Sequence, residues 1–380
     1  MLVVLYFHQL GYSPLEIALL FIFYEFFGVV TNLIGGWVGS RIGLSVTMHL
    51  GMGLQVIALG LLAVPTDWLS IPYVMFLQAL SGIAKDLNKM SAKAGVKLML
   101  PEGAQGKLFK WVAILTGSKN ALKGVGFFLG GLLLSLVGFQ SALLILAGGL
   151  LLILLLTLWK LPKEIGKSKS KTKFTQILSK SPEINWLSSA RFFLFGARDV
   201  WFVIGLPVFL SATLGWSHTQ VGSFLALWII GYGIVQASTP RLIRKSHARH
   251  GPDGATARLW STLLVLIPVA IALALMLECD PTPVLIGGLA LFGIVFAINS
   301  AIHSYLILAY SEGDNVAMNV GFYYMSNAAG RLVGTVLSGL SYQEWGLIGC
   351  LWWSAIFIAI TTLLSTRLPL QQSVVPSNHH

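Results

Sequence analysis

Long apolar runs follow one another along this chain with only short polar breaks between them, and most are near the length of a helix that spans a bilayer, about 20 residues. The first, residues 2–10, is too short to span. Five full runs follow, at 15–39, 46–64, 69–90, 108–137 and 142–159. A basic linker then carries Lys163, Lys167, Lys169, Lys171, Lys173 and Lys180. Six more runs lie beyond it, at 186–212, 221–239, 257–277, 284–309, 316–340 and 347–364. The pattern predicts an all-α polytopic membrane protein with eleven full spans and part of a first helix. Its expected units are an N-terminal bundle over 1–159, a linker over 160–185, a six-helix bundle over 186–366 and a tail over 367–380.

Composition agrees with a bilayer as solvent. Hydrophobic residues make up 56% of the chain, charged residues 10%, and mean hydropathy is +0.79. A soluble domain carries roughly 25% charged residues, so a soluble enzyme, a disulfide scaffold and a disordered chain are excluded. The formal charge of +11 sits mainly in loops, where it reads as orientation rather than as nucleic-acid binding. With the linker cytoplasmic, the loops on its side hold Arg41, Lys93, Lys97, Lys107, Lys110, Arg241, Arg244, Lys245, Arg249 and Arg258. Those on the other side hold Asp67, Glu278, Asp280 and Glu344. The Glu312/Asp314 loop is the acidic exception on the basic side.

The two halves repeat. Leu10-Gly11-Tyr12-Ser13 with Glu16 answers to Leu214-Gly215-Trp216-Ser217 with Gln220. Gly82 and Asn88 answer to Gly293 and Asn299, and Ser118, Lys123, Gly126 and Gly131 to Ser326, Arg331, Gly334 and Gly339. The halves have equal orientation, so the repeats are parallel. The second half places a full span before its Leu-Gly-Trp-Ser element. The repeat therefore predicts that the first helix begins upstream of Met1.

Several spans carry charge at depth. Lys85, Asp86 and Lys89 lie in one, with Lys93 and Lys97 continuing the same four-residue spacing; Lys119 and Lys123 lie in the next. Arg198, Asp199 and Arg331 lie in the second half, with Asn299 and His303 four residues apart. A cation at a helix centre costs roughly 2.5–3.5 kcal/mol, so Lys119, Lys123, Arg198 and Arg331 would together cost about 10 kcal/mol in lipid. They are expected to face an interior cavity. Glu25, Asp86 and Asp199 are too few to neutralise them, and a surplus of positive charge fits a phosphate or carboxylate ligand. Lys119, Lys123, Arg198, Arg331, Lys85, Lys89, Asn299, His303 and Asn327 are the candidate substrate contacts. Glu25, Asp86, Asp199 and Arg41 are candidates for coupling or gating. Lys93, Lys97 and Arg191 read as near-surface residues that snorkel. Arg198 and Asp199, neighbours on one helix, are expected to meet different helices.

Other chemistry is not written here. Gly166-Lys167-Ser168 lacks the first glycine of a phosphate loop, since Leu161 stands there. Cys279 and Cys350 form no framework. No metal or cofactor is expected, and no nucleophile motif points to an enzyme.

Gly36-Trp37-Val38-Gly39-Ser40-Arg41-Ile42-Gly43 resembles the cytoplasmic signature of the major facilitator superfamily, with Ser40 where that signature carries aspartate. The resemblance implies the major facilitator fold, two parallel six-helix repeats. Residues 7–37, 78–98, 110–131 and 193–203 resemble, more narrowly, the organoarsenical efflux permeases of the ArsJ type. That resemblance implies efflux of 1-arseno-3-phosphoglycerate, conferring arsenate resistance. It also implies a functional link to glyceraldehyde-3-phosphate dehydrogenase, which forms the ester from arsenate, and a location in a bacterial inner membrane. Lys123 and Arg331, related by the repeat, would hold the two anionic ends, and the protein is expected to act as a monomer. The alternative is a proton-coupled exporter of another organic anion or drug.

Overall fold

A computed structural model describes Val3, Tyr6, Phe7, Leu10 and Gly11 and residues 22–101, 103–161, 181–243, 251–311 and 315–370. The lysines of the linker from Lys163 to Lys180, the Glu312/Asp314 loop, Arg244, Lys245 and Arg249, Ser13 and Glu16, and residues 371–380 of the tail lie outside the described residues, as does the side chain of Glu25. Among the described residues there are ten α-helices, one short 3-10 helix (Thr66–Trp68) and no strand. The α-helices are α1 (Ile22–Ile42), α2 (Leu44–Leu62), α3 (Ile71–Leu98), α4 (Gln105–Lys160), α5 (Pro182–Phe202), α6 (Gly205–Ala212), α7 (His218–Leu242), α8 (Gly254–Met276), α9 (Pro281–Ala309) and α10 (Val316–Ser365). Seven helical segments are long and apolar enough to cross a membrane. Where eleven full spans were expected, four of the predicted runs appear as two long helices. α4 has 56 residues and α10 has 50, each interrupted by one non-helical glycine, Gly138 and Gly346.

Those two glycines are the same position in the two halves, with the spacing that relates Lys123 to Arg331. Their φ angles of 75° and 61° with extended ψ belong to a region essentially reserved for glycine. Two of the other repeated positions also have structural causes. Gly11 and Gly215 both take positive φ, at 87° and 68°. Gly215 precedes a capping box in which Ser217 Oγ accepts from the Gln220 amide at 3.3 Å and Gln220 Oε1 accepts from the Ser217 amide at 2.8 Å. Gly82 of α3 packs on Tyr24 of α1, as Gly293 of α9 packs on Trp228 of α7.

The halves meet mainly on the side of the basic loops, here called the inner side. One buried cluster there mixes both halves: Leu44, Met90, Ala94, Leu108 and Phe109 with Ile298, Ile302, Tyr305, Val316 and Tyr324. Toward the outer side each half closes on itself. Leu69, Leu77, Phe139 and Leu143 form one cluster, and Trp201, Leu285, Phe292 and Leu347 belong to another. Close backbone approach seals the inner seam. Gly117 of α4 lies against Gly233 and Ala237 of α7, and Gly36 of α1 against Ala317 and Gly321 of α10. A shared core inside and separate cores outside describe two halves packed together most closely on the inner face.

Candidate functional site

Position along a helix decides which charged side chains converge. Lysines every fourth residue of α3 stack on one face, and that face looks toward α1 and α10. The Lys85 ammonium lies 3.8 Å from the Tyr24 ring centroid and 3.7 Å from Asp86 Oδ2. Lys89 donates to Asp86 Oδ1 at 3.2 Å and stands 3.9 Å from the ring of Tyr324, across the seam between the halves. Asp86 is buried beside Gly28 of α1. One carboxylate thus serves two ammonium groups.

Asp199 on α5 repeats the arrangement in the other half. Its Oδ1 accepts from Arg198 Nε at 2.6 Å and lies 2.5 Å from Arg198 Nη2, while its Oδ2 accepts from Arg331 Nε of α10 at 2.9 Å. The expectation that Arg198 and Asp199 meet different helices holds only in part: Asp199 reaches α10, but Arg198 also pairs with Asp199 itself. The arginine stem is long enough to curl back to its neighbour's carboxylate while the other oxygen crosses to α10. Arg198 also lies near the rings of Phe195, Phe202 and Phe296.

Lys119 and Lys123 stand on the face of α4 opposite the Gly117 seam, and both are exposed. Lys119 is in electrostatic reach of Lys85, Asp86 and Lys89 on α3 and of Lys123. Lys89 in turn feels Arg331. The positive groups of both halves therefore share one region, in which Lys85, Lys89, Lys119, Arg198 and Arg331 face only two described carboxylates, Asp86 and Asp199. Arg331 points its Nε at Asp199, so its role as the partner of Lys123 in gripping a two-ended ligand would require that ion pair to loosen.

A second polar layer lies further in. Arg191 is buried and donates through Nε to Asn327 Oδ1 at 2.9 Å and through Nη1 to Ser300 at 3.2 Å, with its guanidinium 3.8 Å from the Phe195 centroid. Ser300 also meets Tyr232 at 3.1 Å and Gln236 at 3.0 Å, and Gln236 accepts from Asn120 of α4 at 2.6 Å. This chain of hydrogen bonds ties the halves together. Asn299 and His303 are fully buried on α9, and neither side chain has a hydrogen-bond partner among the described residues. His303 is in electrostatic reach of Arg191, which places it in the inner layer.

Two sequence readings change. Arg191 and Lys93 were expected to snorkel, yet their exposures are 2% and 1%. Lys93 is covered across the seam by Tyr324 of α10, whereas Arg191 is enclosed within its own half by Asn327 of α10 and Ser300 of α9. In the signature loop, Ser40 turns inward and donates to the Trp37 carbonyl at 2.7 Å, and Arg41 lies 4.9 Å from the Trp37 ring. Tyr24, Tyr324, Asn120, Gln236 and Ser300 went unnoticed. Asn120 and Gln236 carried a usable signal, as lone amides inside apolar runs. Among the described residues no group of three His, Cys, Asp or Glu side chains converges as a metal site.

Residues 1–307 match the family model of the Major Facilitator Superfamily. No curated protein matches the chain by sequence. Among solved structures, a bacterial homologue of the iron transporter ferroportin in an outward-facing state is similar, at a TM-score of 0.70 and 14% identity, over 93% of this chain and 90% of that one. The E. coli fucose:proton symporter FucP is similar at 0.71 and 13%, over 93% and 90%. The human organic anion transporter MFSD10 is similar at 0.71 and 18%, over 92% and 83%. At these identities the likeness is one of fold.

Proposed function

The chain belongs to the Major Facilitator Superfamily, and from that premise we propose that it is a secondary transporter that exports a small organic anion by alternating access. The observation that carries this reading is the charge balance of the central region. Asp86 and Asp199 are each shared between two cations, and Lys119 adds a further one with no carboxylate bonded to it among the described residues. A bound phosphate or carboxylate would complete that balance, and a cationic or neutral solute would not.

The finer proposal is 1-arseno-3-phosphoglycerate, an ester with an anionic group at each end. Sequence resemblance to organoarsenical permeases supports it, as does a site made of hydrogen-bond donors rather than the thiolates that trivalent arsenic would favour. The cell would then be a bacterium that makes the ester with glyceraldehyde-3-phosphate dehydrogenase and loses it across the inner membrane. Separate outer cores and a closed inner seam fit the release stage of such a cycle.

The test is uptake into inverted vesicles. Vesicles containing the protein are expected to accumulate the arsenate ester, and Lys119→Met vesicles to lose at least nine-tenths of that uptake at normal protein levels. Co-expression with the dehydrogenase is expected to confer arsenate resistance. Uptake of other phosphorylated anions without the ester would leave the superfamily's general export reading. Uptake of a cationic dye alone would overturn the anion assignment.

A further inference from the structure

Among the described residues, Lys93 is the most anomalous charge. It sits on α3 one turn inward of Lys89, inside the core that seals the inner seam, and is 1% exposed. Its Nζ has no hydrogen-bond partner among the described residues and stands 5.3 Å from the Tyr324 ring centroid. The charges that act on it are Arg191 of α5, Lys119 of α4 and Lys89 of its own helix, all positive. Its position is built rather than accidental. Tyr324 is shared with Lys89, and Arg191 is held by Asn327 and Ser300.

An uncompensated ammonium in such a place is costly, because desolvation is not repaid by a counter-charge. The cost is borne only while the inner seam is shut. Parting of α1 and α3 from α10 would admit water, or an anion, to the group. We propose that Lys93 and Arg191 form an inner anion subsite, loaded from the linker side with the phosphate or carboxylate end of the transported solute, and that Lys93, whose ammonium form is tolerated only where water or an anion reaches it, biases the empty protein toward opening on that side. This rests on the anion reading above and adds a place and an order. The solute meets Lys93 first and is handed one helical turn outward to Lys89, then to the Lys85, Asp86 and Lys119 region.

The experiment uses the full chain in liposomes, with Cys279→Ser and Cys350→Ala and spin labels on Lys107→Cys and Arg241→Cys. Those two residues line opposite walls of a groove of about 740 Å³ at the inner ends of α4 and α7. Glycerate 3-phosphate serves as the probe anion. The reference protein is expected to show a short and a long label distance, with the long one populated without anion. Lys93→Met should collapse the distribution to the short distance. It should also raise the KM for uptake from the inner side at least tenfold, while affinity measured from the outer side stays within twofold. Lys93→Arg, which restores the charge, should return both readouts to within threefold. Unchanged distances and inner-side KM in Lys93→Met would overturn the subsite, as would an equal loss of affinity on both sides. If the protein carrying Lys93 neither binds nor moves the probe anion, the anion reading itself falls, and the subsite with it.

Discussion

Arg331 of α10 donates through Nε to Oδ2 of Asp199 on α5 at 2.9 Å, and the other oxygen of that carboxylate is taken by Arg198. Asp199 is buried, Arg198 is 16% exposed and Arg331 is 29% exposed. Removing the carboxylate leaves two cations facing each other with partial access to water. Breaking a fully buried pair costs about 3–5 kcal/mol, and the exposure of the arginines discounts that toward about 1–3 kcal/mol. Asp199→Asn is therefore expected to lower thermal stability in detergent visibly. An added phosphate anion should restore part of the loss, because it takes the vacated place between the arginines. A variant as stable as the parent, with or without phosphate, would contradict the structural role of this bridge.

Lys119 makes the opposite prediction. It forms no ion pair among the described residues, and its neighbours on α3 include Lys85 and Lys89. Lys119→Met removes a repulsive charge and should leave folding unharmed or slightly improved. Transport should fall at least tenfold, which corresponds to about 1.4 kcal/mol of lost anion stabilisation. Stability and transport thus move apart in this variant, whereas Asp199→Asn is expected to lose stability. Thermal melts and vesicle uptake on the same preparations check the contrast.

The bilayer class and the helical runs were legible in the sequence because hydropathy is a local property. The repeat was legible too, and four of its glycines prove to be turn or packing positions, Gly11 and Gly215, Gly82 and Gly293. The break between paired spans was anticipated by the polar gaps around residues 137–142 and 340–347. That the helix continues on both sides of a single glycine was not, since Gly138 and Gly346 look like any other glycine in an apolar stretch. Lateral neighbours were the real blind spot. Lys93 lies against Tyr324 of the other half, and Arg191 is enclosed by α9 and α10 of its own, neither of which a reading along one helix discloses. Arg198 and Asp199 were assigned to different partners from helical geometry alone, which takes no account of how far a guanidinium can reach back.

The seam between α4 and α7 depends on the absence of side chains. A methyl group at Gly233 would stand 2.4 Å from the Ala121 amide nitrogen, and one at Gly117 would stand 2.4 Å from that of Ala237. These are backbone contacts that no rotamer change relieves. Overpacking of this kind typically costs about 1–3 kcal/mol, and here the cost falls only on the state with the inner seam closed. Gly233→Val is expected to shift the protein toward inner opening, lengthening the distance between labels on residues 107 and 241. Accessibility of the central lysines from the outer face should fall in parallel. A Gly233→Val protein with the parent's label distances would show that the seam yields without opening.

Gly138 and Gly346 offer a test of the repeat as a physical device rather than a sequence pattern. Each takes a backbone conformation that costs a side-chain-bearing residue about 1–3 kcal/mol. Neither has any atom within 4 Å of an added Cβ, so strain and not crowding is what an alanine would introduce. The two positions adjoin separate cores, Phe139 lying in one cluster and Leu347 in another. Effects at such distant sites add. Gly138→Ala and Gly346→Ala are each expected to lower the melting temperature by a comparable amount, and the double variant by their sum. A much smaller loss in one would mean that its half can straighten the break into continuous helix, so that the two halves would not turn their paired arms by the same means. A double variant far worse than the sum would mean that the breaks are coupled through the seam. Far-ultraviolet circular dichroism melts of the four proteins distinguish these outcomes.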